Sequence, residues 1–213
     1  MGRLIALEIR KHNLRPYHLA ALAGGCTMLV FQYFMAAIPL IDPADPDIGL
    51  FSSYEFLFGL NHLMSMAYFS VMGGVLGARF VVEEYSGAKA LLTFSYPVCR
   101  RKVLKAKLFL VLFYTTLAMI VWGIFTGLTF AATERIFPFC KEPLTFETIL
   151  WVFVSLLLYA LSTGGTVSLS LWFGLGKQST SATIVASIVL AVLLCQVFSS
   201  VLTFRFILFI LPG

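Results

Sequence analysis

The sequence predicts an all-α protein, a polytopic bundle of transmembrane helices. Of its 213 residues, 60% are hydrophobic and only 12% are charged, whereas an average soluble domain has about 25% charged residues. The charged residues are also unevenly distributed, because five long stretches contain no Asp, Glu, Lys or Arg. These stretches are residues 17–41, 56–78, 108–133, 148–176 and 178–204. This composition argues against a soluble protein with a large core.

Each of the five stretches is predicted to be one membrane span. The hydrocarbon core of a bilayer is about 30 Å thick, and a helix needs roughly 20 apolar residues to cross it. Only helices and closed barrels satisfy every backbone hydrogen bond in lipid. The stretches are continuous and lack the alternation of barrel strands, so helices are favoured. The remaining segments are short, and residues 1–213 are predicted to form a single transmembrane domain.

The distribution of basic residues predicts a cytoplasmic N-terminus. If the chain changes sides at each span, 12 of the 15 Lys and Arg residues lie on the side of the N-terminus. The other three are Arg135, Lys141 and Arg205. This is the bias that orients multi-pass proteins in the cell (inner or plasma) membrane. The basic residues are therefore assigned to topology and to contact with anionic lipid headgroups, and nucleic acid is not an expected partner.

The two ends of the chain carry apolar segments too short to span. Residues 1–15 mix aliphatic and charged side chains and are predicted to lie along the inner membrane face as a helix. They are not a cleavable signal peptide, because the apolar run that follows is too long. The tail at residues 206–213 cannot cross a bilayer. We expect a sixth span at or beyond the C-terminus.

The longest polar segment joins spans two and three and is predicted to be cytoplasmic. Within residues 79–107, Glu83 and Glu84 lie near the start, and a cluster of basic residues forms the end. The middle contains a Leu pair at residues 91–92, followed by Pro97. This order favours a short helix that runs parallel to the membrane and ends before the proline. Such a helix would suit docking to another protein. An ordinary solvated loop with basic charge is an equally open interpretation.

Nine residues of this segment occur in a characteristic order. They follow the pattern E-x-x-x-G, then Leu-Leu, then S-x-P-[VI]-x-R, and finally a Lys that enters the third span. The matching residues are Glu83, Gly87, Leu91, Leu92, Ser95, Pro97, Val98, Arg100 and Lys107. This order resembles that of ABC-2 type permeases, the membrane subunits of a class of ATP-driven transporters. The chain departs from the usual pattern at Ala88, where the family has Thr, and by one extra residue before Pro97.

The resemblance implies a six-span permease subunit of an ABC exporter, of the peptide-antibiotic immunity or drug-export kind. It implies a translocation path shared with a second copy or a related permease, and coupling to separate soluble ABC ATPase subunits. The ATPase-coupling residues that it assigns are Glu83, Glu84, Gly87, Leu91, Leu92, Ser95, Pro97 and Arg100. The sequence has no G-x-x-x-x-G-K-[ST]. ATP and Mg are therefore expected on the partner ATPase, and no catalytic residue, metal or directly bound cofactor is expected on this chain.

Three polar residues inside the spans are candidates for the substrate path: Gln32, His62 and Gln196. An ionisable side chain within a membrane span is a functional hypothesis by default. The alternative is hydrogen bonding between neighbouring helices. The histidines do not form the H-E-x-x-H pattern of a metalloprotease.

Several alternatives remain open at this point. The GxxxG pairs Gly73/Gly77 and Gly123/Gly127 allow close helix approach, either within one bundle or between two copies. For function, the alternatives to a permease are a membrane scaffold or regulatory subunit that does not transport, and an intramembrane enzyme.

Overall fold

The computed structural model describes residues 15–41, 51–85, 100–137, 139–140 and 145–210. Within these ranges, the side chains of residues 100, 101 and 202–210 are not described. The predicted helix at residues 1–15 and the middle of the loop between spans two and three therefore lie almost entirely outside the described residues.

The described residues form five long helices. They are α1 at Arg15–Ile41, α2 at Tyr54–Gly77, α3 at Arg100–Glu134, α4 at Phe146–Lys177 and α5 at Thr180–Ile210. After Gly77, α2 continues without a break through a π-helical segment, Ala78–Val82, and a last α-helical turn, Glu83–Tyr85. All five are long and apolar enough to cross a bilayer. The predicted all-α, multi-pass membrane architecture is confirmed.

Three helices extend well beyond the uncharged stretches. α2 reaches Tyr85, seven residues beyond the predicted span, α3 starts at Arg100, eight residues before residue 108, and α5 ends at Ile210, six residues after residue 204. A helix keeps its own backbone hydrogen bonds as it leaves lipid, so its charged ends continue into the membrane–water interface. Glu83 and Glu84 accordingly belong to the end of α2 and do not begin a separate helix.

The turn between α4 and α5 is as tight as predicted. It contains Gln178 and Ser179, and Gln178 adopts a left-handed conformation with φ of 50°. The backbone N–H of Ser179 donates to the carbonyl of Gly174 at 3.2 Å. The Ser179 hydroxyl then accepts from the N–H of Ala182 at 3.4 Å and caps the start of α5.

α2 is the central helix of the bundle. It packs against each of the other four helices. In its most apolar 18-residue window, 72% of the residues are buried, whereas the corresponding share is 28% or less for the others. The remaining helices present large apolar side chains outward, among them Val30, Leu128, Leu161 and Trp172. Such an apolar outer surface suits lipid as the surrounding solvent.

Small residues let neighbouring helices approach closely. A Cβ atom added at Gly73 would overlap Val167 of α4, and one added at Gly77 would overlap Leu171 of the same helix. On α3, a Cβ at Gly123 would overlap Leu156 of α4, whereas one at Gly127 would make only an ordinary contact with Phe58 of α2 at 3.8 Å. Gly73, Gly77 and Gly123 therefore pack helices within one bundle.

Candidate functional site

The end of α2 and the start of α3 meet where the predicted coupling loop leaves the bundle. We call this region the loop junction and define it as residues 78–85 together with residues 100–107. The Glu84 carboxylate at the end of α2 forms an ion pair with the ammonium group of Lys107. The chain therefore leaves α2 next to one partner of the ion pair and returns in α3, whose second turn carries the other.

The ion pair of the loop junction is buried. The exposed fraction is 2% for the Lys107 side chain and 15% for that of Glu84. The Lys107 ammonium group also donates to the backbone carbonyl of Phe80 at 3.4 Å. Removing one partner of a buried ion pair costs about 3–5 kcal/mol. The end of α2 and the first two turns of α3 are thus held together electrostatically.

The π-helical segment, Ala78–Val82, holds the loop junction to the rest of the bundle. It contacts α3, α4 and α5. Phe80 is 5% exposed, and Val81 and Val82 are fully buried. They form one apolar cluster with Val111 of α3 and Leu171 of α4. The N–H of Glu83 reaches back to the carbonyl of Ala78, a wide turn of the kind that is frequent at functional sites.

Only part of the predicted coupling set falls in the described residues. Glu83 and Glu84 lie in the last turn of α2, and Arg100 is the first residue of α3. The others, Gly87, Leu91, Leu92, Ser95 and Pro97, lie outside the described residues. Lys107 belongs to the motif, but its burial and its pairing with Glu84 do not follow from the pattern alone. The available signal was its position, the last cation of the basic cluster and the one directly before an uncharged stretch.

Two of the three predicted path residues are buried and bonded between helices. Gln32 of α1 accepts a hydrogen bond from the side-chain amide of Asn61 on α2. The Asn61 carbonyl oxygen in turn accepts from the Ser65 hydroxyl at 3.2 Å. Because Gln32 is 2% exposed and Asn61 1%, this network joins α1 to α2 deep in the bundle.

His62 faces a different helix. Its Nδ1 lies 3.1 Å from the hydroxyl oxygen of Ser155 on α4, and the side chain is 1% exposed. The rings of Phe58 and Tyr159 flank it with centroids 6.2 Å and 6.0 Å away. Gln196 of α5 is exposed on the outside of the chain. The structure therefore does not bring Gln32, His62 and Gln196 together as one lining.

Among the described residues, no group of three or more His, Cys, Asp or Glu side chains is placed to hold a metal ion. The chemistry that the described part of the chain does offer is of two kinds. Buried hydrogen bonds fix α1 and α4 to the central helix. A buried ion pair closes the loop junction between α2 and α3.

Comparison with known proteins finds a relative that spans nearly the whole bundle. The chain is 30% identical over 191 residues to the uncharacterized protein YcbO of Bacillus subtilis (strain 168). The match covers 90% of this chain and 82% of YcbO. No family model matches the chain, and no solved structure matches it significantly. This chain belongs to the same protein family as YcbO.

Proposed function

We propose that the chain is the permease subunit of an ABC exporter of the ABC-2 type. It lies in the plasma membrane with its N-terminus and the loop junction on the cytoplasmic side. A separate soluble ABC ATPase binds ATP and Mg and docks on the loop between α2 and α3. A second copy of the chain, or a related permease, completes the translocation path.

The observation that carries this proposal is the buried ion pair between Glu84 and Lys107. A docked ATPase that moves the loop pulls on both of its ends at once, since the pair joins them. The pull reaches the central helix through the π-helical segment, which packs on α3, α4 and α5. ATP hydrolysis then shifts the equilibrium between two states of the bundle. The shift equals the difference in free energy between the ATPase contacts made in those two states.

A second feature supports a path between two permeases. α1 packs on one side of α2 and α5 on another, through Tyr68 and Gly74 of α2 respectively. Between these two contacts, α2 keeps an incompletely covered face that includes Met64, which is 39% exposed. In the proposed transporter the part of this face at Met64, flanked by α1 and α5, borders the path.

The proposal is tested by purifying the tagged chain from native membranes in mild detergent and identifying its partners by mass spectrometry. We expect a soluble ATPase with a phosphate-binding P-loop, in a ratio of one per permease chain. Recovery of the folded chain with no ATPase, at any detergent strength that keeps the membrane complexes intact, would favour a scaffold.

Coupling is tested on the recovered complex. Glu83→Lys reverses a charge in the last turn of α2, and we expect it to lower substrate-stimulated ATP hydrolysis while the chain still inserts. Glu147→Lys is the matched control, because Glu147 is an exposed acid in the first turn of α4 at the opposite end of the bundle. Equal stimulation in both variants would show that the end of α2 does not couple.

A further inference from the structure

Among the described residues, one face of the central helix is incompletely covered near the loop junction. Tyr68, Val71, Val75 and Arg79 recur at the three- and four-residue spacing of one helix face. Arg79 is exposed, and the other three are half-buried. Successive residues are rotated by about 100°, which places the α5 contact at Gly74 on a different side of α2.

Part of this face forms a groove with the start of α1. The groove has a volume of about 370 Å³ and is lined by Pro16, Tyr17 and Ala20 of α1 and by α2 side chains between Tyr68 and Arg79. Ligand clefts measure about 300–1,000 Å³. The space therefore suffices for part of a chain-like molecule. Its walls are mostly apolar, since Val71, Met72 and Val75 supply the α2 side.

The length of the groove matches one leaflet of a bilayer. Arg79 lies 11 residues after Tyr68, which corresponds to a rise of about 16 Å along the helix axis at 1.5 Å per residue. Half of a hydrocarbon core about 30 Å thick is about 15 Å. At the Tyr68 end of the groove, the Tyr68 hydroxyl donates to the carbonyl of Ala20 at 2.7 Å, so this hydroxyl is already engaged.

The polar groups of the groove lie at its other end. The Arg79 side chain is exposed, although its neighbours Ala78 and Phe80 are buried. Tyr17 lies close by, packed edge-on against Phe80 with ring centroids 5.4 Å apart. Arginine binds phosphate oxygens with paired N–H donors, and tyrosine is enriched at the depth of the headgroups. A cation at the mouth of an apolar groove is complementary to an anionic amphiphile.

We propose that this groove binds one anionic phospholipid from the bilayer leaflet on the side of the loop junction. Its phosphate lies against the guanidinium group of Arg79 and beside Tyr17. One acyl chain follows Val75 and Val71 toward Tyr68. Basic pockets between transmembrane helices are known to select anionic headgroups. The inference depends on the geometry of α1 and α2 and holds whether or not the chain transports.

The test is native mass spectrometry of the full chain in detergent, titrated with phosphatidylglycerol or with phosphatidylcholine of the same acyl chains. We expect one phosphatidylglycerol retained per chain and weaker retention of phosphatidylcholine. Arg79→Gln should weaken phosphatidylglycerol binding about fivefold, the effect of one basic contact with an anionic lipid surface. Lys105→Gln, at an exposed cation near the start of α3, should leave the affinity unchanged.

A second variant tests the apolar part of the site. Val75→Trp fills the groove and should abolish retention of both lipids, whereas Val121→Trp on the outer face of α3, where Val121 is 54% exposed, should not. Equal affinity of the wild-type chain for the two lipids would overturn the proposal, as would an unchanged affinity in Arg79→Gln. Efficient disulfide cross-linking of two copies through Val71→Cys in membranes would also overturn it, because this face would then be covered by a second chain.

Discussion

The Nδ1 atom of His62 forms a hydrogen bond with the hydroxyl group of Ser155, across 3.1 Å between α2 and α4. The Ser155 hydroxyl also lies 2.9 Å from the carbonyl of Val152 in its own helix. The Nε2 atom of His62 has no hydrogen-bonding partner among the described residues. Histidine here joins two helices, the alternative that the sequence left open beside a role in the substrate path.

This bond predicts a measurable coupling between α2 and α4. In a double-mutant cycle of His62→Leu and Ser155→Ala, we expect a coupling energy of about 0.6 kcal/mol and at most about 1.7 kcal/mol, the range for hydrogen bonds between membrane helices. Reversible unfolding in mixed micelles with increasing SDS measures it. Ser162→Ala is the control, because its hydroxyl bonds to Leu158 of its own helix. A cycle of His62→Leu with Ser162→Ala should show no coupling, and equal values for both cycles would contradict the assignment.

The ion pair of the loop junction predicts a larger effect. Glu84→Gln and Lys107→Met each remove one partner of the ion pair and leave the charge of the other, so each should destabilise the chain by about 3–5 kcal/mol. The double variant should lose much less than the sum, since both charges of the pair are then removed together. The same unfolding measurement applies, with the exposed Lys105→Gln as the control. Additive losses would mean that the two side chains do not act as a pair.

Glycine packing predicts opposite outcomes at two helix positions. A Cβ at Gly74 of α2 would overlap the Ser187 side chain of α5, whereas a Cβ at Gly165 of α4 meets nothing within 4 Å. Gly165→Ala should be neutral or should stabilise the helix by up to about 1 kcal/mol. Gly74→Ala should destabilise the chain by about 1–3 kcal/mol, the usual cost of overpacking. The ranking of the two unfolding free energies is the test, and the reverse ranking would contradict the packing of α5 on α2.

The left-handed Gln178 predicts a stabilising substitution. A residue with a Cβ atom in this conformation costs about 1–2 kcal/mol, which glycine avoids. Glycine loses part of this gain through its greater freedom in the unfolded chain. Gln178→Gly should therefore raise the free energy of unfolding by about 0.5–1 kcal/mol. Gln178→Val is the control at the same site and should lower it, because β-branched residues are disfavoured at positive φ.

The two glutamines that were predicted to line the path differ in burial, so their substitution should affect stability differently. Gln32→Leu removes the acceptor of a buried Asn61 amide, so it should cost about 1–3 kcal/mol of stability. Gln196 is exposed, and Gln196→Leu should leave stability unchanged within about 0.5 kcal/mol. If Gln196 borders the proposed path, this variant should lower transport in membranes at normal abundance. Loss of abundance in Gln196→Leu would contradict its exposed position.

The candidate site was predictable only in part. The sequence placed Glu83, Glu84, Arg100 and Lys107 near the two ends of one loop, and the structure places them in the last turn of α2 and the first two turns of α3. That Glu84 and Lys107 pair within the bundle was not predictable, because a basic residue next to a span equally suits the membrane surface. The roles of Gln32 and His62 were left as alternatives, since a polar residue in a span shows no partner in the sequence.

The sequence by itself determined that the chain crosses the membrane in helices, and where five of them lie. The physical reason is that lipid cannot satisfy backbone hydrogen bonds and excludes charge, so long uncharged runs have one structural solution. Only the tertiary structure decided that α2 is the central helix, that Gly73 and Gly77 pack on α4, and that a groove opens between Tyr17 and Arg79. In lipid, the buried and the outer faces of a helix are both apolar. The pattern of hydrophobic residues therefore does not reveal which faces meet, and close packing and a few buried polar contacts make that choice.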